Sequence, residues 1–252
     1  MQPDRDIEFA SQCLDAGIDT APLVLQFHPI QSLHNGQPFY GVDCALRKRD
    51  GSLLSPAFVR HEARRSSALR ARSGELERWL LDRCLQLAAT PDAAGAFPRL
   101  CFWLTPAAGY DVLVAHLLSL ERRDPPAPVV VGIPMPSHLA ATDACMAVSL
   151  AARQAGFQIS LEWDPLVDCD AEILTDLRPA YVEVPAGSLL SVEALQARDW
   201  VEVMHAVGAE VIATRTETSQ QLANLFALEI DYFSGSVLGA DSAQMDFDFG
   251  AN

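Results

Sequence analysis

The sequence predicts an α/β fold, a TIM-like (β/α)8 barrel with one antiparallel strand near the N-terminus, and three observations predict it. Short apolar, β-branched runs alternate with helical periodicities at regular spacing through residues 100–233, the pattern of a mostly parallel sheet joined by crossover helices. About eight strand candidates in 252 residues match one closed barrel, with a doubly wound open sheet as the alternative. Half of the residues are hydrophobic, which is ample for a sizeable core.

Residues 1–20 read as a lead-in helix with Ile7, Phe9, Ala10, Cys13 and Leu14 apolar, ended by Gly17. The first strand is expected over 23–27 and stopped by His28-Pro29, because proline has no N–H for a ladder. His34-Asn35-Gly36 signals a turn and residues 39–47 a second strand; so short a connection makes the two antiparallel. After a turn at Asp50-Gly51, Ser55-Pro56 supplies the N-cap and first position of a helix. Leu76, Trp79, Leu80, Cys84, Leu85 and Leu87 are spaced for an amphipathic helix over 75–89, ended by Pro91. Strands follow at 100–104, 128–133, 157–163 and 181–184, alternating with helices at 112–120, 142–155, 171–177 and 191–207. The last unit is the clearest: a strand at 210–213, a helix capped by Thr216 and carrying Leu222, Leu225 and Phe226, then a strand beginning at 231–233. The chain thus divides into a lead-in helix (1–20), a barrel (21–240) and a loosely held acidic and aromatic tail (241–252).

Composition removes several function classes. A formal net charge of −15 repels polyanions, so no nucleic acid is expected as a partner. No apolar run approaches the roughly 20 residues of a membrane span, and the start MQPDRDIEF lacks a signal-peptide pattern, so a cytoplasmic protein without membrane contact is expected. Six cysteines without any CxxC read as reduced core thiols. Six histidines form no HxH or HExxH, and no GxSxG, Walker A or GxGxxG is present.

The stretch 208–239 carries a resemblance. Ala213, Glu217, Thr218, Gln221, Leu222, Asp231, Tyr232 and Gly235 match the closing βαβ unit of the EAL-type cyclic-di-GMP phosphodiesterases, a strand ending AEGVET, a helix with QL, then DYVQGY. Phe27-His28-Pro29-Ile30 resembles the family's YQPI, residues 41–47 its GVEALLR and Leu54-Ser55-Pro56 its ISP, so the resemblance runs from about residue 23 to 239. It implies a barrel of the EAL type whose C-terminal mouth would hold two divalent metals on oxygen ligands.

Set against that resemblance, the expected ligands are largely replaced. The family's motif glutamate falls on Asp43, its asparagine on Trp103, its fourth-strand glutamate on Gly132, and its lysine on Glu183. Its DDFG reads Glu162-Trp163-Asp164-Pro165, its later glutamate is Thr214, and its two glutamines are His28 and Ser234. No catalytic residue, metal site or cofactor is therefore expected, and Arg47 with Asp43 remains only as a vestigial ligand pair. Asp43 is expected to pair with Arg47 or Arg215, and Glu217 to cap or brace the last loop.

The replacements are apolar or rigid: Trp103, Pro134, Met135, Trp163 and Pro185. They either plug the mouth as extra core or stay exposed as an anchor patch, for which Trp103, Met135 and Trp163 are the candidates. A second candidate surface is the basic run Arg60, Arg64, Arg65, Arg70 and Arg72, otherwise a solvated helix face. The resemblance and these replacements together lead to the expectation of a catalytically inactive EAL-like signalling regulator that binds a regulatory protein partner. The alternative is a degenerate cyclic-di-GMP receptor, and an active phosphodiesterase comes third. The family resemblance also suggests a homodimer.

Overall fold

The computed structural model describes residues 2–32, 36–65, 74–91, 95–104, 110–120, 129–134, 142–163 and 171–249. Nine strands are found among them: β1 (Leu23–Ser32), β2 (Phe39–Arg47), β3 (Leu53–Leu54), β4 (Arg99–Trp103), β5 (Val129–Ile133), β6 (Gln158–Glu162), β7 (Tyr181–Pro185), β8 (Glu210–Thr214) and β9 (Tyr232–Ser234). The described helices are α1 (Gln2–Ala16), α2 (Pro56–Arg65), α3 (Glu75–Ala88), α4 (Asp111–Ser119), α5 (Thr142–Gln154), α6 (Ala171–Leu177), α7 (Ala186–Leu189), α8 (Ala194–Ala206) and α9 (Ser219–Phe226). The strands run in the order β1-β9-β8-β7-β6-β5-β4-β2, and pairing of β1 with β2 closes them into an eight-stranded barrel, with β3 added outside β2. β1 is antiparallel to both neighbours, while β2 and β4 through β9 are parallel, as the expected fold class requires. The open-sheet alternative is excluded by that closure.

Local chemistry explains these elements. Every residue of β5 is buried, because both faces of a parallel barrel strand are covered. Ser55 Oγ accepts the Phe58 N–H, so the Ser55-Pro56 start of α2 works as anticipated. Pro29, in contrast, does not stop β1, which continues to Ser32. Phe27 directs its N–H at Ser242 rather than at β2, and alternation turns position 29 to that same side. Pro29 there falls between the Ser242 bridge and the start of β9 pairing at Ile30, so its missing donor costs no described ladder bond. The expected turn at 34–36 lies largely outside the described residues.

Two cores result. The larger lies between the strands and the surrounding helices, and the smaller fills the barrel with Ile30, Phe39, Cys101, Val130, Tyr181, Ile212 and Tyr232. At the N-terminal end of the barrel Phe39, Tyr181 and Tyr232 meet pairwise, with ring centroids 5.5–5.8 Å apart. Arg99 lies over the Phe39 and Tyr181 rings and donates to the Tyr181 hydroxyl, which closes that end.

The tail differs from expectation. Phe27 N–H donates to Ser242 O at 2.7 Å and Ser242 N–H returns a bond to Phe27 O at 2.9 Å. Phe249 is 9% exposed and packs edge-on against Tyr40 at 5.1 Å. The reason is topological: β1 and β2 form a hairpin with no crossover helix, and the outer faces of Phe27 and Tyr40 need an apolar cover, which residues 242–249 supply. Phe249→Ala is expected to lower stability by about 2 kcal/mol, the value of burying one phenyl group; urea unfolding measures it.

Candidate functional site

The C-terminal ends of the strands surround a cavity of about 750 Å³. His28, Asp43, Trp103, Pro134, Glu162, Glu183, Thr214 and Ser234 line it from the strands and their ends, Arg60 from α2, and Arg215, Glu217, Gly235 and Asp241 from the closing loops. Two glycines make the floor possible. A Cβ on Gly41 would lie 1.9 Å from Nε2 of His28, and one on Gly132 would lie 2.4 Å from Cδ1 of Trp103. The imidazole and the indole occupy the space these glycines leave and stack on each other, centroids 5.2 Å apart and planes 18° from parallel. Burial holds His28 far below its ordinary pKa, at about 4, so it is neutral at neutral pH.

Trp103 also donates its indole N–H to Oε2 of Glu183 at 2.8 Å. Oε1 of the same carboxylate accepts from Ser160 Oγ at 2.5 Å and from the Cys101 thiol at 3.8 Å. Glu183 is only 3% exposed. Burial raises its pKa to about 7 and nearby Glu162 adds to that, against the opposing pull of the Ser160 and Trp103 donors.

Asp43 forms an ion pair with Arg60, which reaches across from α2. That corrects the expected pairing with Arg47 or Arg215. Even so, burial outweighs the guanidinium and lifts Asp43 to about 6. Arg47 sits exposed at the end of β2, opposite Leu53 of β3, and does not line the cavity, so it is no partner of Asp43 at a ligand site. β2 pairs with β4 only as far as Val42, so Arg47 lies past that parallel ladder, on the stretch of β2 that pairs with β1 and β3.

The other candidates separate as well. Trp163 is 1% exposed and belongs to the core, so it offers no docking surface. Trp103 is half-buried in the floor. Arg60 points into the cavity and leaves the basic face, whereas Arg65 is 61% exposed, 3.8 Å from buried Glu62. Met135, Asp164, Arg70, Arg72 and the side chain of Arg64 lie outside the described residues.

The closing loop is held by backbone bonds. Thr216 is fully buried, donates its N–H to Ser234 O at 2.9 Å and accepts from Val237 N–H at 3.1 Å. It is not the cap of α9: Thr218 Oγ1 accepts from Gln221 N–H at 3.1 Å, and the Thr218 N–H donates to Gln221 Oε1 at 3.2 Å, a complete capping box. Glu217 lines the cavity, and it joins the closing loop through its main chain, its N–H donating to Gln221 Oε1 at 2.8 Å. Gly235, with φ 144°, must be glycine, since a Cβ would come within 2.4 Å of the Thr216 backbone. The sequence reading passed over Asp241, which the seated tail brings to the rim, and Ser160, whose role appears only once β6 lies beside β7.

Two outcomes follow. Unfolded, Glu183 ionises near 4.5; folded, it keeps its proton to about 7. As pH rises through that window the unfolded state loses a proton the folded state retains, so stability falls, by about 3 kcal/mol in total. Asp43 acts in the same direction between 3.8 and about 6. Glu183→Gln is therefore expected to flatten, without abolishing, the decline in urea-unfolding free energy between pH 5 and 8. Gly132→Ala is expected to push the indole from its seat and cost about 1–3 kcal/mol, seen as a lowered Tm and a shifted tryptophan emission.

Comparison with known structures puts this barrel beside several EAL domains. The FimX EAL domain of Pseudomonas aeruginosa bound to c-di-GMP superposes with a TM-score of 0.71 at 18% identity, covering 96% of this chain and 99% of its own. The Xanthomonas citri FimX EAL domain in complex with c-di-GMP gives 0.73 at 15%, covering 99% of both chains. The PaMucR phosphodiesterase in its c-di-GMP complex gives 0.69 at 19%, covering 96% of this chain and 97% of its own. No curated protein sequence matches. The family model described as EAL domain matches residues 12–241, and the chain belongs to the EAL domain family.

Proposed function

We propose that this EAL barrel is a non-catalytic signalling regulator that works by binding another protein. The observation that carries the reading is what occupies the mouth: the Trp103 indole fills the space above Gly132 and ties up Glu183, while the Arg60 guanidinium occupies Asp43. Hydrolysis of a phosphodiester by paired divalent ions needs several free oxygen ligands converging within a few ångströms. Among the described residues no three His, Cys, Asp or Glu side chains come together with that geometry. The residues present do not fit a metal pair, and no reaction step is assigned to them.

A docking surface of the expected kind remains on the outer face of α2. His61 and Arg65, 62% and 61% exposed, stand one turn apart there on a chain of net charge −15, so an acidic partner segment suits that face. The mouth tryptophans do not serve, Trp163 being core and Trp103 committed to the floor.

The receptor reading stands second, supported by the cavity itself and by the c-di-GMP complexes of the structural neighbours. Against it, five carboxylates (Asp43, Glu162, Glu183, Glu217, Asp241) face two guanidinium groups (Arg60, Arg215) in that cavity, and His28 adds no charge. A dianion entering there meets net repulsion.

Incubation with cyclic-di-GMP and magnesium or manganese is expected to give no turnover, and calorimetry no saturable binding. Metal-dependent hydrolysis lost in Asp43→Ala would sink the non-catalytic reading; saturable binding without turnover would put the receptor in its place. Charge reversal of Arg65 together with His61→Glu is expected to abolish retention of a co-purifying partner while leaving Tm unchanged.

A further inference from the structure

Helix α5 carries apolar side chains on two flanks. Cys145, Val148, Ala151 and Ala152 are buried in the larger core, the one apolar stripe that a surface helix needs. On another flank Met146 and Leu150 stand one turn apart, Met146 half-buried and Leu150 47% exposed, where polar residues are the rule. Arg153 continues that outward stripe one turn beyond Leu150. With α6 alongside, the flank walls a groove of about 650 Å³, which Asp176 and Arg178 line from α6 and its end. The groove shares no lining residue with the mouth cavity.

Charge decides what the groove fits. The chain has 33 acidic and 18 basic side chains, yet here two guanidinium groups face one carboxylate, Asp176. Neither the Arg153 nor the Arg178 side chain has an ion-pair partner among the described residues. Arg178 also sits at φ 46°, the left-handed position just past a helix end that glycine fills with least strain. The turn would be served better by glycine, so an arginine there is explained by its side chain. A groove between two helices, apolar on one wall and cationic toward one end, accepts another helix by ridge and groove, with apolar residues one turn apart and acids beside them. We propose that the groove between α5 and α6 docks an acidic amphipathic helix of a protein partner, its apolar side chains on Met146 and Leu150 and its carboxylates on Arg153 and Arg178. An anionic membrane surface and a second copy of this chain fit less well, because a net charge of −15 repels both. The inference rests on the protein-binding reading and adds the apolar anchor that His61 and Arg65 on α2 do not supply.

Fluorescence anisotropy of the full chain with a labelled synthetic helix of about four turns, leucines along one stripe and glutamates flanking it, tests this at physiological ionic strength. Saturable micromolar binding is expected, weakened about tenfold or more by Arg153→Glu with Arg178→Glu and several-fold by Leu150→Ser. Leu150 and Arg178 are exposed, so these variants keep the fold, and a matched Tm confirms it. Arg178→Gly is expected to weaken binding while Tm holds or rises, an outcome that a merely structural arginine would not give. The same peptide with glutamine in place of glutamate is expected to bind about tenfold or more weakly, and His61→Glu with Arg65→Glu to leave peptide binding unchanged. Absence of saturable binding, undiminished binding in the Arg153 and Arg178 double variant, or equal binding of the glutamine peptide would each overturn the proposal. So would self-association of the chain that the double variant loses, since a second copy would then be the occupant. The titration contains no nucleotide, so its failure removes the groove and leaves the protein-binding reading standing, whereas cyclic-di-GMP turnover is the separate result that removes that reading.

Discussion

The hydrogen bond from the Trp103 indole to Glu183 is the constraint on which the mouth of this barrel depends. A carboxylate as buried as Glu183 is tolerated only with its oxygens satisfied. The donors come from three side chains on two other strands, Trp103 and Cys101 of β4 and Ser160 of β6. The indole can reach its acceptor because Gly132 of β5 has no side chain, and it is steadied by His28, whose ring needs the same absence at Gly41. Six strands, two of them through a glycine, therefore share one arrangement, and altering any member leaves a buried polar group without its partner or a ring without its space.

The rest of the barrel confines polar chemistry to this one end. The aromatic cluster of Phe39, Tyr181 and Tyr232, capped by Arg99, fills the N-terminal half, so the described cavity that remains inside the strands opens at the mouth. The antiparallel β1 has a second effect. It leaves the outer surface of the β1–β2 hairpin without a crossover helix, and the tail that covers it also carries Asp241 to the rim. Packing of Phe249 on Tyr40 is thereby linked to the electrostatics of the mouth.

Membership of the EAL family and the charge distribution of the cavity pull in different directions. The structural neighbours were solved with an anionic dinucleotide, while the cavity of this chain is lined mainly by acids, two of which are held at elevated pKa by burial. The proposed protein-binding regulator takes what fills that mouth rather than the fold as its starting point, because one fold supports many chemistries.

The strand and helix order, the barrel, the antiparallel first pair and the family were legible in the sequence, because they rest on local periodicity, turn residues and short motifs such as the run from Ala213 to Gly235. So was the replacement of polar family positions by Trp103 and Gly132, which is a matter of residue identity. What those residues touch was not. Asp43 and Arg60 are separated by 17 positions and meet when α2 packs on β2, whereas Trp103 and Glu183, 80 apart, meet only across the closed barrel. The extension of β1 through Pro29, the cap on Thr218 rather than Thr216, the burial of Trp163 and the seating of the tail likewise depend on which neighbour lies across a strand or over a face. Periodicity says which side of an element is apolar, and only the packed structure decides what that side meets.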